Sequence, residues 1–484
     1  MRPGESQFNE HLNSPRGRGL TPEPGHTGAA GGAACGDLIR ITIAVRDDGE
    51  GRIERVGFDA SGCGATIAAG SATVALVEGR GLLDAARIGP EQIADELGGL
   101  IAPKRHAAEL AADALHRALG AAARAACLTP KPGRTLVAMS GGVDSAVAAL
   151  MSGADGGEAV ACTLELWSDP ANDGDLSCCS AQAVRGARTV AHGLGMPHFS
   201  IDLRAEFRAG VVDGWLAEQA AGLTPNPCIR CNGNVRLDAM LDLGERLGAG
   251  TLATGHYARV RWDGEAPLLM TAADRAKDQS YVLSGLAPAS LARMRFPLGD
   301  LHKDRVRELA REAGLAVASR RDSQDLCFLA GTGQRAFLEE HGGMGAKPGP
   351  IRTLDGTVLG EHSGTHLYTV GQRHGLGIAT GSPIYVLATD AASNTVTVGP
   401  RSALMAVEIP VREIVLHRPA GEVDGVRVRA HGRRLACRLP AALDPGHHPR
   451  AAIELHEQAE RTAPGQLACL YSGELVVGYG TVAA

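Results

Sequence analysis

The chain has 484 residues, about three domains' worth at roughly 100–200 residues per domain, so a single small module is excluded. Hydrophobic residues at 44% and charged residues at 21% are ordinary globular values. The formal charge of −6 excludes a protein coated in positive charge, so any nucleic-acid contact has to come from a local basic face.

Residues 1–30 mix Pro, Gly and charge without an apolar run, which predicts a flexible tail and no secretory signal. LIRITIAV and RIERVGFDA alternate apolar and polar residues around the turn DDGEG and predict a hairpin. From Ile67 to Leu119 the pattern is helical, with amphipathic stretches such as HAAELAADALHRAL, so residues 31–122 read as a small α+β domain. The prolines and glycine of CLTPKPGR mark a linker over 123–133. RTLVAM, SGGVDS, AVAALMS and AVACTLELW then form a strand–loop–helix–strand unit. Further strands at HFSIDL and TLATGHYARV extend it, so 134–335 is predicted as an α/β domain on a parallel sheet. Beyond about residue 350, short strands and Gly/Pro turns suggest a β-barrel. The eleven scattered cysteines fit thiols used for chemistry in a reducing, cytoplasmic compartment. No window reaches the roughly 20 apolar residues of a membrane helix, so no membrane contact is expected.

Ser140-Gly141-Gly142-Val143-Asp144-Ser145 sits between a strand and a helix start. Two glycines permit positive φ, hydroxyls stand at both ends, and a helix N-terminus offers free N–H groups, which together make a phosphate cradle. The loop lacks the lysine of the G-x-x-x-x-G-K-[ST] type. It resembles the pyrophosphate-loop ATPases, which adenylate a carbonyl-type oxygen. Thr224-Pro225-Asn226-Pro227-Cys228-Ile229-Arg230-Cys231-Asn232, Ala253-Thr254-Gly255-His256-Tyr257, Lys277-Asp278-Gln279-Ser280-Tyr281, Asp322-Ser323 with Cys327-Phe328, and Gly371-Gln372-Arg373 narrow the resemblance to the tRNA-specific 2-thiouridylase family. The resemblance covers about residues 134–484. It implies an ATP-binding α/β domain over 134–335, a central domain over 336–405 and a tRNA-contacting barrel over 406–484.

The implied reaction replaces the O2 of the wobble uracil of tRNA by sulfur. Adenylation with ATP and Mg²⁺ makes that oxygen a leaving group, and a cysteine persulfide is a soft nucleophile whose S–S bond a second thiolate can cleave. By resemblance Cys231 is the attacking thiol and Cys327 the persulfide carrier, with a disulfide between them as the spent form. A Cys-x-x-Cys can also be a zinc or structural site, but no second pair follows at finger spacing. Cys178 and Cys179 read as exposed bystanders. Many members have Asp where this chain has Cys228, so Cys228, Cys231 and Cys327 could instead hold a [4Fe–4S] cluster that supplies the sulfur.

The resemblance further puts ATP against Ala138, Met139, Ser140, Gly141, Gly142, Val143, Asp144 and Ser145, with Leu164 near the adenine and Gly255 at the end of a later strand. It puts His256, Lys277, Asp278, Gln279, Arg429 and Gln466 near tRNA. RVRAHGRR offers Arg427, Arg429, Arg433 and Arg434 as a basic face for phosphates.

Residues 31–122 resemble the IscU/NifU iron–sulfur scaffold, through Ala34-Cys35-Gly36-Asp37, Ser61-Gly62-Cys63-Gly64-Ala65 and Lys104-Arg105-His106. The scaffold's third cysteine is replaced by Ala107. Cys35, Asp37, Cys63 and His106 remain as a four-ligand candidate for Zn²⁺ or Fe. The other reading is a domain that docks a cysteine desulfurase or another persulfide donor, whose local concentration near Cys327 the fusion would raise.

Overall fold

The computed structural model describes residues 5–31, 36–154, 156–167, 180–264, 266–320, 326–379 and 381–484. Cys35, Cys178, Cys179, Asp322 and Ser323 lie outside the described residues. The segment expected to be a tail belongs to the front domain: Glu5–Asn13 is helix α1 and His26–Gly31 is strand β1. Composition missed it because its anchors are single residues. Phe8 and Leu12 pack on the core, and Gly28 lets β1 lie flush on a helix, where a Cβ would stand 2.2 Å from the Ala114 carbonyl oxygen.

Strands β2 (Leu38–Val45) and β3 (Ile53–Ser61) form the expected hairpin, and β1 pairs antiparallel with β2. Helices α2 (Gly64–Val77), α3 (Leu82–Ala85), α4 (Pro90–Glu96) and α5 (Arg105–Ala123) follow. α5 departs from its amphipathic reading, since 13 of its 19 residues are buried. A helix buried all round has to be a wall between two layers. α5 lies against β1 and β2 on one side and against the strand His198–Asp202 of the next domain on the other. Its alanines make that double approach possible, and Gly120 fits so closely that a Cβ would stand 1.9 Å from the Ser200 carbonyl oxygen. A single apolar cluster consequently runs from Ile39, Ile41 and Phe58 through Ala111, Leu115 and Ala118 to Leu136, Val160 and Phe199.

The second domain is built from β4 (Thr135–Ala138), α6 (Val143–Ala154), β5 (Ala159–Glu165), α7 (Ala181–Gly193) and β6 (His198–Asp202). Helices α8 (Arg204–Phe207), α9 (Asp213–Ala220), α10 (Pro227–Arg230) and α11 (Leu237–Arg246) lead to β7 (Thr251–Thr254). TLATGHYARV is two strands. The chain turns at Gly255 and continues as β8 (Ala258–Asp263), which forms a hairpin with β9 (Ala266–Thr271). After α12 (Ser280–Leu283) and α13 (Pro288–Arg293), β10 (Met294–Arg295) completes a parallel sheet of order β10-β7-β4-β5-β6. Helices α14 (Lys303–Glu312) and α15 (Gln334–Gly342) close this part.

β11 (Gly349–Arg352), β12 (Val358–His362), β13 (Tyr385–Asp390) and β14 (Thr395–Gly399) form the central sheet. β15 (Met405–Leu416), β16 (Gly425–Arg427), β17 (Leu435–Arg438), β18 (Gly446–Glu460), β19 (Leu467–Ser472) and β20 (Leu475–Val482) follow. β15 pairs with both β18 and β20, which closes these six strands into a barrel, and the β9–β8 hairpin extends its sheet from β20. Among the described residues no helix is long and apolar enough to cross a membrane.

The tight seat of Gly120 makes a prediction. Gly→Ala inside a helix ordinarily stabilises by about 1 kcal/mol. Gly120→Ala is expected instead to destabilise by about 1–3 kcal/mol through overpacking, seen as a lower urea midpoint. An unchanged or higher midpoint would contradict the two-sided packing of α5.

Candidate active site

The turn after β4 is held in shape by its own hydroxyls. Ser145 Oγ accepts from the Ser140 amide at 3.1 Å, lies 3.2 Å from Ser140 Oγ and donates to the Gly142 carbonyl at 3.1 Å. Gly141 has φ +71°, where a side chain would be strained, and a Cβ there would also stand 2.8 Å from the Ala183 carbonyl oxygen. Gly255, at the end of β7, rests on the same turn, and a Cβ on it would stand 2.7 Å from the backbone of Asp144 and Ser145. The first turn of α6 thus presents its amides at a backbone-lined cradle, the geometry that suits a phosphate chain.

Two cations that sequence reasoning did not assign sit on this turn. Lys303 Nζ donates to both Asp144 carboxylate oxygens at 2.7 and 2.8 Å, and Tyr257 Oη donates to the same carboxylate at 2.9 Å. Arg320 donates to the Gly141 carbonyl at 2.9 Å. The chain holds only five lysines, so one at a helix start was a signal available in the sequence. The turn therefore combines amides, a carboxylate already bonded by Lys303 and Tyr257, and two nearby positive charges, a donor set that fits the phosphates of ATP. Leu164 lies buried near the end of β5, and Ala138 and Met139 are buried beneath the turn.

The cysteine loop begins with Asn226, whose side chain caps α10 by accepting from the Cys228 amide at 3.1 Å, with Pro227 as the first helical residue. Cys231 then opens a π-helical turn, Cys231–Arg236, an irregularity often found at functional sites. Cys231 is buried, and Cys228 and Cys327 are half-buried. Burial pushes the Cys228 thiol up, while the nearby Arg236 charge pulls it down. Cys162, inside the sheet, is pushed up to about 12 and is inert as a nucleophile. Cys231 and Cys327 belong to one apolar cluster. Cys327 is anchored by its neighbour Phe328, whose ring centroid lies 5.1–6.5 Å from those of Trp167, Phe207, Trp215 and Phe337. Arg320 ties the chain seven residues before Cys327 to the glycine turn. The three thiols do not form a group compact enough for a single ion; among the described residues only the front domain has one.

The residues expected near tRNA divide into two sets. Asp278 is buried, and its carboxylate accepts from the Ala272 amide at 3.0 Å, Ser280 Oγ at 2.9 Å and Arg427 at 2.7 Å. Gln279 bonds both the amide and the carbonyl of Tyr257, at 2.9 and 2.8 Å. These two residues fasten the loop bearing half-buried Lys277 to the barrel and to the turn after β7. Gln466 Nε2 donates to the Thr224 carbonyl at 2.6 Å and joins the barrel to the cysteine loop. His256 sits 2.9 Å from Thr254 Oγ1, and burial, helped by the Arg236 charge, lowers it to about 3, so it stays neutral at physiological pH. The basic face is narrower than expected. Arg427 points inward to Asp278 and Arg434 pairs with Asp424, leaving Arg429 and Arg433 exposed.

In the front domain one ligand atom each from Asp37, Cys63 and His106 lie within 4.8 Å of one another. Asp37 accepts from the Cys63 amide at 3.0 Å and Thr66 Oγ1 at 2.6 Å, bonds that, led by that from Thr66, hold its carboxyl below the usual range. Gly62, at φ +146°, permits this approach, since a Cβ would stand 2.2 Å from Asp37 Oδ1. His106 Nδ1 donates to the Pro103 carbonyl at 2.9 Å. His106 Nε2 lies 3.2 Å from Asp37 Oδ2, close enough for a hydrogen bond when that nitrogen carries a proton. A carboxylate, an imidazole and a thiol gathered in this way are ligand types of a zinc-type site. Ala107 is fully buried and offers no ligand.

Residues 5–126 match the NifU-like N terminal domain, 133–331 the tRNA methyl transferase HUP domain, 335–400 the tRNA methyl transferase PRC-barrel domain and 408–482 the aminomethyltransferase beta-barrel domain. The chain is 42% identical to a bifunctional protein NifU/MnmA of Rubrobacter xylanophilus, over 98% of this chain and 97% of that protein. It is 38% identical to a tRNA-specific 2-thiouridylase MnmA of Pelotomaculum thermopropionicum, over 72% of this chain and 97% of that protein. A protein of the same description from Acidithiobacillus ferrooxidans is 41% identical, over 72% of this chain and 98% of that protein.

The front-domain geometry predicts a metal-binding result. Titration with Co²⁺ should give a thiolate-to-cobalt charge-transfer band that Cys63→Ser abolishes, and Asp37→Ala should weaken binding by about 10–100-fold. An undiminished band in Cys63→Ser would mean that the cobalt sits elsewhere.

Proposed function

The chain belongs to the tRNA-specific 2-thiouridylase (MnmA) family and carries a NifU-like domain in front, and from that premise we propose that it catalyses ATP-dependent 2-thiolation of the wobble uridine of tRNA. The observation that carries this reading is the glycine turn braced by Gly255, with the chain leading to Cys327 bonded to it through Arg320. The phosphate cradle thus contacts the chain seven residues before a half-buried thiol.

The amides of Gly141 to Asp144 and the Lys303 and Arg320 charges hold the triphosphate, and Leu164 supplies an apolar wall for the adenine. Asp144 would hold Mg²⁺ in exchange for Lys303, and the ion would supply charge neutralisation for the departing pyrophosphate. The uracil O2 attacks the α-phosphorus and becomes an AMP ester. The terminal sulfur of a persulfide on Cys327 attacks C2, and AMP leaves. The Cys231 thiolate then attacks Cys327 Sγ, which forms the Cys231–Cys327 disulfide and leaves sulfur on C2 as the thiocarbonyl. A reductant and a persulfide donor, such as a cysteine desulfurase, reset the pair. His256, neutral throughout, is a hydrogen-bonding group for the base and not its acid. Lys277, Arg429 and Arg433 meet the RNA backbone, while Asp278, Gln279 and Gln466 hold the surfaces that do so.

A second reading is favoured by one observation: Cys228, three residues before Cys231 on the same short helical segment, adds a third thiol. A [4Fe–4S] cluster on Cys228, Cys231 and Cys327 would then supply the sulfur. In the front domain, Asp37, Cys63 and His106 would hold Zn²⁺ or Fe.

Nucleoside analysis of tRNA after incubation with ATP and a persulfide donor tests the reading. Wild type should form 2-thiouridine, and Cys231→Ser or Cys327→Ser should reduce it to background with the melting temperature unchanged. Retained product in Cys327→Ser contradicts both schemes. Cys228→Ala separates them after anaerobic purification: full activity without iron supports the persulfide route, and loss of activity together with iron and labile sulfide supports the cluster.

A further inference from the structure

We propose that the front domain forms a fixed wall of the nucleotide site and that Arg117, on α5, is a positioning residue for ATP; this rests on the ATP-dependent reading above. Arg117 grips Glu165 with a two-pronged contact, Nε to Oε1 and Nη2 to Oε2, both at 3.1 Å, while Nη1 donates to the Ala29 carbonyl at 2.8 Å. Glu165 is the buried last residue of β5, directly after Leu164, and its carbonyl accepts from the Leu203 amide at 3.0 Å. β5 lies beside β4, whose end leads into the glycine turn, and the Met139 amide bonds the Cys162 carbonyl of β5 at 2.8 Å. A side chain from the front domain therefore pins the strand end that carries the adenine wall.

The pin is braced on either side by contacts of both domains to each other's main-chain carbonyls. His116 on α5 bonds the His198 carbonyl at 2.8 Å, Gly120 abuts the Ser200 carbonyl, and Arg124 bonds the Asp202 carbonyl at 2.9 Å. α5 thus runs alongside β6 in the same direction. From the second domain, the His192 ring and the His198 amide both bond the Ala86 carbonyl, at 3.1 and 3.0 Å. Asp113 on α5 meets Arg185 and Arg188, each at 2.7 Å. Without Arg117, Glu165 is left as a buried carboxylate without its main counter-charge, and the end of β5 has to move to hydrate it.

Displacement of a fluorescent ATP analogue from the full-length protein, with thiolation kinetics alongside, tests this. Arg117→Ala should raise the ATP dissociation constant and KM about tenfold, with kcat at saturating ATP changed by less than about threefold. Arg117→Ala combined with Glu165→Gln, which removes the stranded charge, should recover most of the affinity. His192→Ala, which removes a different contact of the same interface, controls for general loosening and should leave ATP affinity unchanged. Equal loss of affinity in Arg117→Ala and His192→Ala, or wild-type affinity in Arg117→Ala, would overturn the proposal while leaving the thiolation reading standing. A wild-type protein that binds no ATP would overturn both.

Discussion

The thiolation half depends on one constraint, the close approach of two backbones at the end of the parallel sheet. Gly255 lies against Asp144 and Ser145 at a distance that no side chain could share, and this fixes the turn after β4 and the turn after β7 as one surface. Around it the remaining parts are fastened by hydrogen bonds rather than by bulk. Gln279 reaches from the Lys277 loop to Tyr257, Tyr257 and Lys303 hold Asp144, and Arg320 bonds the Gly141 carbonyl. The barrel is tied to the same surface through Arg427 on Asp278 and Gln466 on Thr224. Three segments distant in sequence are joined here because each carries a polar residue whose hydrogen bonds reach another of them.

The front domain changes its meaning once α5 is seen between two sheets. A tethered carrier would need a mobile connection, whereas here the apolar cores run together and the short linker joins parts already in contact. His106 stands ten residues, about 15 Å at the helical rise, before His116, where α5 meets the first residue of β6. The glycine turn lies past the other ends of these parallel strands. The candidate metal site and the candidate thiolation site thus face opposite ends of a shared wall, and the fusion acts as architecture before it acts as a tether.

Much of this was legible in the sequence wherever chemistry constrains residue type locally. The hexapeptide at Ser140, the cysteine pair at Cys228 and Cys231, and the Asp37, Cys63 and His106 set are short, and the structure gives each a compact geometry. Long-range partnerships were not legible. Asp278 and Arg427 each read as an RNA contact, because an isolated charge looks solvated until the strand that buries it is known. α5 read as amphipathic because alanine is neutral in a periodicity argument, and only a second sheet explains why so few of its residues reach water. The tail reading failed for the same reason, since residues 5–31 owe their order to the surface they lie on.

The most direct test of the account is the stoichiometry of the reaction. AMP and 2-thiouridine counted in the same tube, with tRNA limiting and a persulfide donor in excess, should appear one for one, with no AMP in the absence of tRNA. Sulfur incorporated without ATP, or AMP formed at the same rate whether or not tRNA is present, would contradict the claim that the glycine turn activates the base that the thiols then attack.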